Sequence, residues 1–352
     1  MRTPLALSRS TGGLAETVVE LHYRRHPEVA ERYGEAGRER CLEDARFHLE
    51  YLEQAMELDS PELFAEYVRW GRSVLAGRGI PQTDLEHNLD CLAEVLADRL
   101  PQTDADRAVA IVQAARAILA AEAVEPPGFL EGDGPLPELA RDYLELLLAG
   151  RRGEAARRVL DAVDQGVEIA DLYLGVFQPV QHEVGRLWQL NRITVAHEHY
   201  CTAATQLVMS QLYPKIFAGP RSANGAKMVA ACVPGELHEI GLRMVADLLE
   251  LEGWDTYYVG GNLPASHLLD LLSRERPRLL ALSCSLPPHL ADARDIIRRV
   301  RENPELDGIH VAVGGRAFTT VADPLALGAD SFARDAREAL ELARGLVGPG
   351  ER

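Results

Sequence analysis

The sequence predicts an α/β plus all-α protein: a helical block, a smaller four-helix bundle, and a doubly wound C-terminal domain with a five-stranded parallel sheet. Three observations predict it. Apolar residues recur at helical spacing up to about residue 213, a Pro/Gly-rich stretch divides that region, and from Ala226 apolar β-type runs alternate with helical segments.

The first block spans 1–122. Cys41, Ala45, His48, Leu49, Leu52 and Met56 form one apolar stripe, and Leu85, Leu89, Leu92 and Leu96 form another after a cap expected at Thr83 or Asp84. Breaks at Gly34–Gly37, Ser60-Pro61, Gly77–Pro81 and Pro101–Thr103 divide it into about five helices. Residues 123–137, with their prolines and glycines, form the linker. The second block, 138–213, is expected to hold four helices, the third placing Tyr173, Val176, Phe177, Val180, Val184, Leu187 and Trp188 on one face. The α/β domain, 226–348, has expected strands at Lys227–Val233, Asp255–Val259, Arg278–Ser283, Ile309–Val313 and Ser331–Ala333.

Composition limits the function. With 352 residues, the chain is long enough for two or three cores. A net charge of −17 sets its field against phosphate backbones, so direct nucleic-acid binding is not expected. The five cysteines are scattered without a Cys-x-x-Cys pair, as in a reducing compartment, and no apolar run is long enough to cross a bilayer. A cytoplasmic, membrane-free protein is the expectation.

The chemistry concentrates after the first strand. Pro234-Gly235 closes an apolar run, and Glu236-x-His238-x-x-Gly241 follows at once, beyond a strand's carboxyl end, where such sheets bind ligands. A carboxylate two residues before a histidine can hold one ring nitrogen and leave the other to ligate. Gly241 removes a side chain where a bulky group must approach the backbone. Alone the pattern is weak evidence, because a histidine in a response-regulator-like domain can match it by chance.

The pattern resembles the Asp-x-His-x-x-Gly signature of cobalamin-binding domains, with Glu for Asp. Ser283-Cys-Ser285-Leu286 after the third strand resembles that family's Ser-x-Leu motif, with either Ser283 or Ser285 in the serine position. Gly314-Gly315 after the fourth strand resembles its paired glycines. The resemblance implies a flavodoxin-like frame and His238 as the lower axial ligand of cobalt, held by Glu236. It implies that Gly241, the serine, Gly314 and Gly315 shape a channel for the displaced nucleotide tail.

Upstream, Trp188 is separated by nine residues from Glu198-His199. Thr194 is the expected N-cap, which puts Glu198 and His199 in the first turns of a helix. This spacing resembles adenosylcobalamin-dependent photoreceptors. The resemblance implies that Trp188 packs over the adenosyl group, Glu198 bonds to it, and His199 takes the upper cobalt position after light. His182 and His197 are expected to be surface or core residues, and Cys201 a packed one.

The repressors of that photoreceptor family carry a basic winged helix, whereas this N-terminal block is acidic and helical. It is more similar to the sensor domain of photocobilins, which pair cobalamin with a linear tetrapyrrole such as biliverdin. Candidate contacts are His48, Tyr51, Tyr67 and Trp70, with Arg69 and Arg72 for propionates. A haem-binding globin-like domain and a plain dimerisation domain stay open. The functional expectation is a non-enzymatic, homo-oligomeric light sensor that binds adenosylcobalamin and signals to a regulatory or output protein. The alternatives are a corrinoid methyl carrier and a cobalamin-binding antirepressor.

Overall fold

A computed structural model describes residues 11–217 and 224–347. The expected domain limits at residues 1 and 348 lie outside these. The chain divides into two compact units, the first holding the residues up to Glu125 together with Thr320–Ala322 and the second the rest.

The first unit is five helices: α1 (Thr11–Arg25), α2 (Pro27–Glu57), α3 (Pro61–Gly77), α4 (Gln82–Arg99) and α5 (Gln102–Ile118). Proline begins α2 and α3, where a missing N–H costs nothing and the fixed φ suits a first helical residue. The break expected at Gly34–Gly37 is a kink inside α2: Gly34 adopts φ 62° and ψ −158° and the helix resumes. The cap expected at Thr83 or Asp84 lies earlier. Pro81, at φ −59° and ψ 142°, precedes Gln82, because its ring already supplies the extended entry a cap residue needs. Leu49, Leu52, Phe64, Leu89, Leu92 and Val112 are fully buried in this core.

The second unit begins with the cap bundle. Its helices are α6 (Pro135–Leu148), α7 (Arg152–Asp164), then α8 (Ile169–Leu172), a π-helical turn (Tyr173–Phe177) and α9 (Gln178–Gln189) in one continuous run, and α10 (Val195–Ile216). Tyr173, Val176, Phe177, Val180 and Val184 are buried, while Leu187 and Trp188 at the end of that run are half-buried.

A five-stranded sheet follows, with β1 (Lys227–Cys232), β2 (Asp255–Gly260), β3 (Leu279–Ser283), β4 (His310–Gly314) and β5 (Ser331–Ala333). All strands are parallel, in the order β2-β1-β3-β4-β5. Helices α11 (Ile240–Leu251), α12 (Ala265–Glu275), α13 (Leu290–Glu302) and α14 (Ala336–Leu346) alternate with the strands. Central β1 and β3 are buried almost throughout, as covered parallel strands must be. The order reverses between β1 and β3, so their carboxyl ends open the ligand crevice.

Cap and sheet share one core. Met244 and Leu248 of α11 pack among the cap's apolar residues, and the buried Tyr173 hydroxyl donates to Asp247 Oδ2 at 2.8 Å. The cap's placement over the sheet is therefore set by packed contacts and not by chain connection alone.

A carboxylate-held histidine beneath a helical cap

β1 ends in a turn in which Gly235, at φ +77°, lets the Glu236 N–H return to the Val233 carbonyl at 3.1 Å. This turn drives the Glu236 side chain inward, where it is wholly buried. Its Oε1 accepts from the backbone N–H of Leu237 at 3.0 Å, the backbone N–H of His238 at 2.9 Å and His238 Nδ1 at 2.6 Å. Its Oε2 accepts from the backbone N–H of Ser285 at 2.7 Å and of Leu286 at 3.0 Å. One carboxylate thus joins the loop after β1 to the loop after β3. The extra methylene of Glu over Asp supplies reach across the crevice floor.

Burial alone would raise the Glu236 pKa. The bonds from the His238 ring and the His238 and Ser285 backbone outweigh it, bringing the carboxyl down to about 2. The His238 pKa is raised chiefly by the same ring–carboxylate bond, against its own desolvation. The His238 side chain is 61% exposed while its partner is 0% exposed. With Nδ1 donating inward, Nε2 carries the lone pair that can ligate a metal.

The glycines divide by cause. A Cβ on Gly241 would meet nothing within 4 Å, so the fold leaves that space open. A Cβ on Gly315 would stand 2.4 Å from the Cys284 carbonyl oxygen, and φ is +97°. Gly315 is therefore demanded by the close passage of the β3 and β4 ends. At Gly314 the nearest atom is the Ala333 carbonyl, 3.1 Å away. Ser283 is buried at the end of β3, whereas Ser285 is half-buried and gives its backbone N–H to Glu236.

From the cap, α10 begins with Thr194, whose hydroxyl accepts the His197 N–H at 3.4 Å. Glu198 Oε1 accepts from the Thr202 hydroxyl at 3.0 Å, and its other oxygen pairs with His199 Nδ1. Glu198 also helps to raise the His238 pKa, so the two motifs lie within electrostatic range of each other. The His199 side chain is 76% exposed. His182 of α9 has its pKa lowered by desolvation and then by the charge of Arg316, the residue after Gly315. That places α9 within electrostatic reach of the loop after β4, a relation absent from the motifs. Glu239, beside His238, was also missed: its carboxylate bonds to both the cap and the loop after β2.

In the first unit, His48 is buried, its Nδ1 lies 2.7 Å from the Tyr67 hydroxyl, and burial brings its pKa down to about 4. Tyr51 stacks on Tyr67 at 4.0 Å, and Trp70 lies tilted 6.1 Å from Tyr67. The sequence candidates do converge, but as a packed ring cluster. Arg69 pairs with Glu66, and Arg72 donates to the Ala121 carbonyl at 2.8 Å, so both guanidiniums already serve protein groups.

A second polar group lies between α1, α2 and α4. Asn88 Nδ2 is 3.1 Å from His22 Nδ1 and 3.4 Å from Cys41 Sγ. His26 and His87 stack at 3.9 Å. Spacing gave no sign of it, since its members come from separate helices. No three His, Cys, Asp or Glu side chains among the described residues are placed to hold a metal ion by themselves.

Residues 226–344 match the family model described as B12 binding domain, and residues 139–213 match a second model of that description. The chain is a cobalamin-binding protein. Its geometry suits that cofactor: a single presented imidazole with the second nitrogen fixed, and open space at Gly241 where a side chain would intrude. Dimethylamine corrinoid protein 1 of Methanosarcina mazei is 22% identical over 60% of this chain and 96% of its own length. The HTH-type transcriptional repressor CarA of Myxococcus xanthus is 28% identical over 45% of this chain and 51% of its own length. The monomethylamine corrinoid protein of Methanosarcina barkeri shares the fold, with a TM-score of 0.53 at 18% identity, covering 60% of this chain and all of that one. Neither family model reaches into the cobalamin-binding protein's first unit.

Proposed function

We propose that this cobalamin-binding protein is a light-responsive switch that holds adenosylcobalamin between His238 and the cap. The observation that carries the reading is Glu198. It stands at the start of α10 beside His199, on the helix whose Gln206 bonds to Glu239 next to His238. Bound adenosylcobalamin supplies a cobalt–carbon bond that visible light breaks. The chain's own groups do the rest. Glu236 fixes the His238 tautomer, Trp188 and Glu198 limit the space on the cap side, and exposed His199 offers a second imidazole there. Were the ligand on that side to change, α9 and α10 would repack around it, a two-state element of the kind signalling needs. In this reading the protein is not an enzyme. It passes the change to a protein partner through a change in homo-oligomeric state.

The test is to load the protein with adenosylcobalamin in darkness, illuminate it, and record absorbance and particle size. The expected product has imidazole on both faces of cobalt, stays on the protein, and does not form in His199→Ala. A released product, or the same spectrum from that variant, sinks the reading.

The first unit we assign to a second chromophore, a linear tetrapyrrole such as biliverdin, on the strength of the His48–Tyr67–Tyr51–Trp70 ring cluster. Titration with biliverdin should give a bound red-absorbing species, and an unchanged pigment spectrum rejects the assignment.

A corrinoid methyl carrier is the second reading, favoured by the names of relatives such as the dimethylamine corrinoid proteins. It requires an accessible upper face, and Glu198, His199 and Trp188 on the cap weigh against that. Methyl transfer in the dark from a methylated amine to the reduced protein, with its methyltransferase, would favour the carrier.

A further inference from the structure

The loop that presents His238 carries a second carboxylate which the cobalamin motif does not use. Glu239 Oε1 accepts from Gln206 Nε2 of α10 at 3.0 Å, and its Oε2 accepts from the backbone N–H of Gly261 at 3.0 Å. The chain makes room for this arrangement. Gly260 sits at φ +71°, and a Cβ there would stand 2.8 Å from Glu239 Oε2. A Cβ on Gly261 would stand 2.7 Å from the Glu236 carbonyl oxygen. His238 is thus bracketed by two carboxylates. Glu236 ties its loop to the end of β3, and Glu239 ties it to the end of β2 and to the cap.

Gln206 lies on the same helix as Glu198 and His199, about two turns further along. A displacement at the start of α10 therefore pulls on the residue next to the axial histidine. We propose that Glu239 is a positioning residue that couples the cap to His238, so that the hold on cobalt from below and the seat of the cap above change together. The proposal rests on the cobalamin reading of the site. α11 keeps other attachments to the cap: Arg243 Nη2 donates to the Ser210 hydroxyl at 2.9 Å, and Tyr173 bonds Asp247. Altering Glu239 therefore releases one joint and leaves the fold standing.

The test uses Glu239→Gln, Gln206→Glu and the two together in the full chain. In Glu239→Gln, an amide nitrogen replaces the oxygen that faced Gln206, and the Gln206 amide turns over to accept from it, so both bonds are kept. In Gln206→Glu, two carboxylates face each other. In the double variant the exchanged amide donates to the exchanged carboxylate and still accepts from Gly261, so both bonds return. The readouts are amide exchange in α10 and in residues 236–241 without cofactor, affinity for hydroxocobalamin, and the nitrogen hyperfine signal of His238 on cob(II)alamin. Gln206→Glu should lose about tenfold in affinity, the low end for residues that orient a metal ligand. It should also speed exchange in both segments together, while Glu239→Gln and the double variant stay near wild type. If Gln206→Glu loosens α10 alone, or the double variant fares no better than it, the coupling is wrong. If wild type takes up no hydroxocobalamin, the cobalamin reading fails, and exchange in the cofactor-free protein still decides the coupling.

Discussion

Two of the protein's buried polar centres are solved differently. In the second unit, Glu236 is fully enclosed yet accepts five hydrogen bonds, and its ionised state is favoured in spite of burial. In the first unit, His22 Nε2, Tyr23 Oη, His87 Nδ1 and Asn88 Oδ1 are buried without a hydrogen-bond partner among the described residues. A satisfied network holds a side chain in one place and so suits the presentation of a metal ligand. An unsatisfied one costs about 1–3 kcal/mol for each such atom. Rigidity belongs where His238 must point one way, whereas the cluster around His22 and Asn88 leaves polar atoms unpaired, as are Arg243 Nε and Tyr258 Oη of the second unit.

The largest expected effect breaks the satisfied centre. Glu236→Ala removes the acceptor for five donors and should lower the stability of the second unit by about 3 kcal/mol, since four backbone N–H groups lose their acceptor together. It should also abolish measurable cobalamin uptake, as seen by urea titration and equilibrium dialysis. Glu236→Asp retreats from Ser285 and Leu286 and should lose about 1–2 kcal/mol, keeping weakened binding. Full stability and affinity in both variants would refute the five-bond account.

Next come the glycines, which separate fold from ligand. Gly315→Ala forces a Cβ onto the Cys284 carbonyl at a positive φ and should destabilise the cofactor-free protein by about 1–3 kcal/mol. Gly241→Ala meets open space in α11, so the cofactor-free melting temperature should hold or rise while cobalamin affinity falls. The reverse outcome would exchange the roles assigned to the two.

Acid should separate the units. His22 and His48 are held down at about 4, chiefly by burial, so they stay neutral in the folded state. The unfolded chain protonates them below 6.5, and their contribution is lost as pH falls from 6.5 to 4. Glu236, at about 2, gives stability that is intact above 4.5 and lost only as pH falls toward 2. Amide exchange across pH 7 to 3 should therefore show the first unit loosening before the Glu236 loop.

The smallest effect is Tyr67→Phe, which removes the hydroxyl bonded to His48. It should cost about 1 kcal/mol in the first unit and leave cobalamin affinity unchanged.

Much of the fold was legible because its signals are local. Alternating apolar runs located the five strands to within about a residue, and Ser60-Pro61 marked the start of α3, whereas the boundary before Pro27 is not among the expected breaks. The break expected at Gly34–Gly37 falls at Gly34, whose non-helical backbone, at φ 62° and ψ −158°, interrupts α2. At Pro81, proline geometry displaced the side-chain cap expected at Thr83 or Asp84.

Sequence alone determined the residues of the ligand loop, the Glu-x-His order that pairs a carboxylate with one ring nitrogen, and the frame that sets this loop beyond a strand end. Such features depend on neighbours a few residues apart. Only the tertiary structure decided what Glu236 reaches, because Ser285 and Leu286 lie 49 and 50 residues away along the chain. It alone brought Gln206 to Glu239 and Arg316 near His182, and it gathered His22, Cys41 and Asn88 from three helices. Hydrogen bonds act over about 3 Å of space whatever the separation along the chain, and that proximity is set by packing.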